Sequence, residues 1–301
     1  MSSTRPLGGV LAPVATLFDA DGDLDLDAFA ANLEWYSESP LDGVVILGSN
    51  GEFASLERNE KLQLIDRATA TVNGRRMVLA GTGCESTRGT IALTREAAAS
   101  GIDYALIVTP HYYRPRYNHA AFVQHYLAVA EASPVPIIVY VMTAYTGVDL
   151  SASLVAELSR HPNIVGVKDS AGNAVKFAEM VHECEPGFAV LAGSANFLYP
   201  ALCLGAAGGI LALADVVPHA CSELRDLYVA GDHEAARAQQ FRLLAPNAAV
   251  TSRFGIAGLK TALELVGLRS SAPRSPQLPS TAEERREIER VFDTAGLLAA
   301  V

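Results

Sequence analysis

The feature that most constrains this chain is a repeated alternation of two kinds of segment. Short apolar runs occupy residues 9–16, 43–47, 77–81, 104–109, 136–140, 164–168, 188–193 and 208–213. Most are near-continuous stretches of Val, Ile, Leu and Ala that end in glycine or a small polar residue. Strands buried on both faces, as in a parallel sheet, have this pattern. Between them lie stretches with helical spacing, at 26–37, 55–70, 86–100, 118–132, 150–159, 173–183 and 196–204. Ser55 reads as the N-cap of the second and Ser86 or Thr87 as that of the third, with Gly101 and Gly205 as stops. Strictly alternating strands and helices need crossover connections and so predict a parallel sheet. Eight such units predict an α/β fold closed into a (β/α)8 TIM barrel rather than an open sheet.

From about residue 216 no further strand is visible. Residues 222–230, 234–244, 254–266 and 281–295 read as helices, and the Ser- and Pro-rich stretch 269–279 reads as a loop. The expected division is a barrel over residues 1–230 and a C-terminal helical extension over 231–301. Barrels of this type use roughly 250 residues as one unit, so one barrel plus an extension fits a chain of 301. The formal net charge of −10, with no Lys/Arg stripe, argues against nucleic acid as a partner. No apolar run reaches the roughly 20 residues needed to span a bilayer, and the first residues lack the pattern of a secretory signal. The expectation is a cytoplasmic protein without a membrane partner. Cys84, Cys184, Cys203 and Cys221 form no CxxC pair and are expected as reduced, buried thiols.

In a parallel barrel the active site lies at the C-terminal ends of the strands. Lysine is scarce here, with Lys61, Lys168, Lys176 and Lys260 as the whole set. Lys168 alone closes an apolar strand, Ile164-Val165-Gly166-Val167-Lys168, whereas the other three lie in helical stretches and are expected to be solvated or to snorkel. A lysine inside a barrel is costly unless it is paired or functional. One reading is an ion pair with Asp169 at the rim. The other is a desolvated amine that attacks a ketone. Tyr140 ends the neighbouring strand, about 4.8 Å away, where a phenol can move protons to and from a carbinolamine oxygen. Its structural alternative is a core-lid aromatic with a satisfied hydroxyl. In the Gly48–Glu52 loop the glycines allow close backbone approach, while Ser49 and Asn50 offer a hydroxyl and an amide. Such a nest can hold a carboxylate without a formal positive charge. Of seven histidines only His111 lies just past a strand end, so no metal set converges and no metal or other cofactor is expected.

Taken together, the 48–52 loop, Thr109-Pro110-His111-Tyr112-Tyr113-Arg114, Tyr140 and Val165-Gly166-Val167-Lys168-Asp169-Ser170 resemble the dihydrodipicolinate synthase/N-acetylneuraminate lyase family over nearly the whole chain. Gly-Ser-Asn-Gly-Glu-Phe at 48–53, the stretches 80–87, 161–166 and 246–251, and Phe254-Gly255-Ile256-Ala257-Gly258-Leu259-Lys260 resemble its 4-hydroxy-2-oxoglutarate aldolase branch. A branch cleaving 2-keto-3-deoxy-L-galactonate is similar. The resemblance implies a class I aldolase or lyase in which Lys168 forms an imine with pyruvate and Tyr140 is the proton shuttle. It implies that Ser49 and Asn50 hold the pyruvate carboxylate, while Ser170, Gly193 and Ser194 line the pocket beyond. Tyr112 matches a tyrosine that reaches into a neighbouring subunit's site, which implies a homo-oligomer, a dimer of dimers in the family. The partners implied are pyruvate and an aldehyde.

One segment departs from the family pattern. After the tyrosine the family usually reads Asn/Ser-Val/Ile-Pro-x-x-Thr/Ser-Gly, and here stands Val141-Met142-Thr143-Ala144-Tyr145-Thr146-Gly147. Thr143 in place of proline is expected to loosen the turn. Tyr145 stands where dihydrodipicolinate synthases carry an arginine for the aldehyde's carboxylate. That substitution argues against dihydrodipicolinate synthase itself and points to an uncharged, polyhydroxylated or aromatic aldehyde. A dehydratase or condensing synthase on the same imine, and a non-catalytic 2-oxo-acid binding protein, are the alternatives.

Overall fold

The computed structural model describes residues 6–298, so the outermost ends of the two expected segments, 1–5 and 299–301, lie outside the described residues. Strands β1 (Gly9–Pro13), β2 (Gly43–Ile46), β3 (Met77–Gly81), β4 (Tyr104–Val108), β5 (Ile137–Val141), β6 (Ile164–Asp169), β7 (Ala189–Ala192) and β8 (Gly208–Ile210) pair in sequence order, all parallel. β8 pairs back onto β1 and closes the barrel. Helices α1 (Leu26–Glu38), α2 (Arg58–Val72), α3 (Thr87–Ala99) and α4 (His119–Ala132) follow the first four strands. The single turn α5 (Thr143–Thr146) precedes α6 (Ala152–Ser159), and α7 (Ala174–Glu183) and α8 (Leu198–Cys203) complete this set. The C-terminal part contains α9 (Pro218–Val229), α10 (His233–Ala248), α11 (Gly255–Leu265) and α12 (Ala282–Thr294). No helix among the described residues is long and apolar enough to cross a membrane.

Strand side chains alternate between the two faces of the sheet. Leu11, Val45, Leu79, Leu106, Ile138 and Leu191 fill the barrel, while Val10, Val44, Ala80, Ile107, Val139 and Val167 pack under the helices. Burying each of the larger of these side chains contributes about 1.5–3 kcal/mol. One irregularity matters for the site. Ile137 pairs with Ile164, but Ile138 pairs with Gly166, so β6 carries an extra residue. This shift sets Tyr140 level with Lys168. In unbroken register Tyr140 would stand opposite Val167, which faces the helices.

Several local expectations change. Ser55 does not cap α2; it ends a 3-10 turn at Phe53–Ser55, and Glu57 caps the helix in a reciprocal box with Glu60. The eighth strand stops at Ile210 and continues as a 3-10 turn, Ala212–Asp215. α9 begins earlier than expected because Pro218 fits the first turn of a helix, where its missing N–H costs nothing. α10 runs through Pro246 and passes into a wider π-helical turn, Ala249–Arg253. The 143–147 segment is not loose. Thr146 and Gly147 donate backbone bonds to Met142 and Thr143 at 3.0 and 2.9 Å, and the Thr146 hydroxyl bonds Met142 as well. Of the four cysteines only Cys221 is buried; Cys84 and Cys184 are half-buried, Cys203 at the end of α8 is exposed, and none forms a disulfide.

Candidate active site

Lys168 sits at the C-terminal end of β6, 4 % exposed, with its side chain turned into the barrel. Its Nζ lies 4.2 Å from the centroid of the Tyr140 ring. Strand alternation sends the next residue, Asp169, to the opposite face. There its carboxylate pairs with Lys176 Nζ at 2.6 Å, and Lys176 also binds Asp149. The Lys168–Asp169 ion pair, left open by the sequence, is therefore absent. Among the described residues no carboxylate lies within ion-pair distance of Lys168. The expectation of solvated helical lysines is corrected too. Lys176 and Lys260 are both buried, and Lys260 pairs with Glu52 at 2.6 Å. Lys61 is partly buried and lies 3.7 Å over the Phe53 ring.

A small cavity of about 50 Å³ opens beside Lys168. Ser49, Asn50, Tyr140, Tyr145, Ser170 and Gly193 line it from the strand ends. Ser49 Oγ and the Tyr140 hydroxyl stand 3.2 Å apart, within hydrogen-bonding distance. Asn50 Nδ2 and Ser170 Oγ are buried without a partner among the described residues. Leaving such a group unsatisfied costs roughly 1–3 kcal/mol, which a bound polar ligand would recover. Gly193 is needed where it is, because a Cβ there would come within 2.1 Å of Ser170 Oγ and 2.7 Å of the Asp169 carbonyl. The turn carrying Ser49 and Asn50 is bracketed by Leu47 and Glu52, both with positive φ (61° and 54°). Thr16 Oγ1 holds its far end through the Gly51 carbonyl, at 2.7 Å.

A second cavity, of about 300 Å³, adjoins the first across Ser49, Tyr140, Met142, Tyr145 and Ile256, which line both. Its wall is mostly apolar, with Leu47, Phe53, Leu106 and Val108. Among the described residues, neither lining contains a lysine or an arginine apart from Lys168. Desolvation, and then the nearby Tyr140, push the Tyr145 phenol above the usual tyrosine value, so it stands as a neutral hydroxyl. The Arg114 guanidinium donates to the Thr146 carbonyl at 3.3 Å without lining either cavity.

Two residues from the sequence reading stand apart from this cluster. Tyr112 is 75 % exposed, edge-on to Tyr113, and lines neither cavity. Its loop is fixed from Glu85, whose carboxylate accepts the backbone N–H groups of His111 and Tyr112 at 3.0 and 2.9 Å. Ser194 also lines neither cavity; its hydroxyl accepts from Asn247 Nδ2 at 3.0 Å. Conversely, Val250, Thr251 and Ile256, which lie far from any strand end in sequence, line the Lys168 cavity. The signal for them was Pro246 in a helical run, since a proline there favours a wide turn of the kind that often marks functional sites. His111 lines the larger cavity and its Nδ1 contacts Glu85 at 2.9 Å. No group of three or more metal-ligating side chains converges among the described residues.

A model described as the dihydrodipicolinate synthetase family matches residues 6–295. A protein of Emericella nidulans named "Probable 4-hydroxy-2-oxoglutarate aldolase, mitochondrial" is 36 % identical over 297 residues, covering 96 % of each chain. A 4-hydroxy-tetrahydrodipicolinate synthase of Xanthomonas campestris pv. campestris is 37 % identical, covering 98 % of this chain and 97 % of its own. Among solved structures, a prophage protein of E. coli K12 assigned to the dihydrodipicolinic acid synthase family, in complex with pyruvate, superposes with a TM-score of 0.92. It has 29 % identity, and the match covers 97 % of this chain and all of that one.

Proposed function

The chain belongs to the dihydrodipicolinate synthetase family, and from that premise we propose that it is a carbon–carbon lyase working through an imine between Lys168 and pyruvate. The observation that carries the proposal is the buried Lys168 amine, with no carboxylate partner, against the Tyr140 ring. An ion-paired ammonium is a poor nucleophile, and pairing Asp169 with Lys176 removes that competitor.

In the proposed sequence the pyruvate carboxylate accepts from Asn50 and the Ser49 region of the turn. Lys168 Nζ attacks the ketone carbon, and the Tyr140 phenol, backed by Ser49, protonates the departing oxygen as the carbinolamine loses water. The protonated imine is an electron sink. When the bound acid carries a hydroxyl at C4, loss of that proton lets the C3–C4 bond break, releasing an aldehyde and leaving an enamine. Protonation at C3 and hydrolysis then free pyruvate and Lys168. The reverse direction is an aldol condensation. No metal or cofactor takes part in this reading. Ser170 and Gly193 would border the pyruvate-derived carbons, with Ser194 acting only through its contact to Asn247.

For the second substrate the proposal is an uncharged aldehyde, met by the neutral Tyr145 hydroxyl. The absence of any lysine or arginine other than Lys168 from the two cavity linings supports this. Tyr112 would act from a second copy of the chain, entering the larger cavity beside Ser49 and Tyr140, so the proposal includes a homo-oligomer. Residues 1–230 are taken as the barrel and 231–301 as an extension whose Thr251 and Ile256 complete the mouth.

The test is reduction with sodium borohydride in the presence of pyruvate, with peptide mapping, followed by turnover of an aldehyde panel. The expected result is a stable adduct on Lys168 and higher kcat/KM for neutral aldehydes. Pyruvate binding with Lys168 left unmodified would falsify the imine. Glyoxylate outperforming every neutral aldehyde would overturn the second-substrate assignment.

A further inference from the structure

Three of the chain's features converge on Glu52. It is the last residue of the turn carrying Ser49 and Asn50, and it has a left-handed backbone (φ 54°) that a residue with a side chain rarely adopts. Its carboxylate is buried and reaches the C-terminal region with both oxygens. Oε1 pairs with Lys260 of α11 at 2.6 Å. Oε2 accepts the backbone N–H of Arg274 at 2.8 Å and Gln277 Nε2 at 3.3 Å. Lys260 is itself 2 % exposed and donates to Ser271 Oγ (3.2 Å) and the Ala272 carbonyl (3.0 Å). The 269–279 loop is thereby drawn onto the turn after β2, more than 200 residues away in sequence.

A fully buried ion pair is a poor device for stability alone, because desolving both charges offsets most of their attraction. What it supplies is geometry. In the observed arrangement the two charges meet, and the contact holds the left-handed end of the turn. The turn's own closing bond, Glu52 N–H to the Ser49 carbonyl at 3.1 Å, depends on the same residue.

We propose that Glu52 and Lys260 are positioning residues: their buried pair locks the Ser49–Asn50 turn to α11 and the 269–279 segment, and so sets the shape of the carboxylate pocket beside Lys168. The inference rests on the reading that Ser49 and Asn50 hold the pyruvate carboxylate. Removing the lock would loosen pyruvate binding in the ground state and transition state alike, raising KM more than it lowers kcat.

The experiment uses the full chain with Glu52→Gln, Lys260→Met and the double variant. The double variant leaves no unpaired buried charge and keeps the test readable where a single variant fails to fold. Two measurements are made on every folded variant. Amide hydrogen exchange over residues 47–52, without substrate, reads the lock itself. Steady-state kinetics read pyruvate KM and kcat at saturating aldehyde. The expected result is faster exchange over 47–52 with pyruvate KM raised about ten-fold or more and a smaller change in kcat. In the double variant thermal stability recovers while KM stays high. Wild-type exchange over 47–52, or a pyruvate KM that recovers together with stability, overturns the proposal. If wild-type protein gives no pyruvate adduct on Lys168, the imine reading fails instead, and the exchange data still decide the lock.

Discussion

Asp215 gives the sharpest quantitative expectation. It ends the 3-10 turn after β8 and is completely buried, with no lysine or arginine among the described residues paired to it. Its Oδ2 accepts the Ala15 N–H at 3.1 Å, and its Oδ1 has no partner. Burial pushes the carboxyl from the ordinary 3.8 up to about 7, against the opposing pull of the neighbouring Tyr36 hydroxyl, which donates to the Asp215 backbone carbonyl at 2.8 Å, and of the Ala15 amide. The sign follows from proton binding. Between about 3.8 and 7 the folded protein holds a proton that the unfolded chain has released. Stability from this group is thus fully present at acid pH and is lost as pH rises through 7. At 1.36 kcal/mol per pH unit, the full loss is on the order of 4 kcal/mol. Asp215→Asn keeps the shape and the acceptor for Ala15 but cannot ionise. Urea unfolding of both proteins between pH 5 and 9 should show a difference in favour of the variant that grows by about 3 kcal/mol, the part of the loss that falls between pH 5 and the native value of about 7, and then levels off. Parallel stability profiles for wild type and variant would refute the assignment of a neutral acid at this position.

Two further expectations follow from the site. Lys176→Met strands the Asp169 carboxylate in the interior and should cost about 3–5 kcal/mol in denaturant unfolding, whereas Lys168→Met removes an amine with no carboxylate partner and should leave stability unchanged or raised. Equal losses for the two would contradict the ion-pair partition. Tyr145→Arg restores a cation at the second-substrate position, and a charged hydrogen bond of about 1.5–3 kcal/mol should raise kcat/KM for glyoxylate relative to a neutral aldehyde by about 10–100-fold. An unchanged ratio would remove Tyr145 from the specificity argument.

Local periodicity along the chain accounts for the fold class. Eight apolar runs alternating with helical stretches were enough for a parallel barrel, because a strand buried on both faces and an amphipathic helix leave different spacings. The barrel's geometry then made strand ends the place to look, which isolated Lys168, Tyr140 and the 48–52 loop. Only the tertiary structure decided what depends on contacts between distant residues. The extra residue in β6 sets Tyr140 level with Lys168, and a one-residue shift of register leaves no mark in composition. Lys176 and Lys260 looked like ordinary helix-surface lysines because their partners, Asp149, Asp169 and Glu52, come from other elements of the barrel. Val250 and Thr251 reach the mouth from a π-helical turn that a helical periodicity of 3.6 does not describe. Ser194 lies just past the end of β7, yet its hydroxyl is taken by Asn247 from α10. In each case the local pattern fixed which element a residue belongs to, and packing between elements far apart in sequence fixed what its side chain meets.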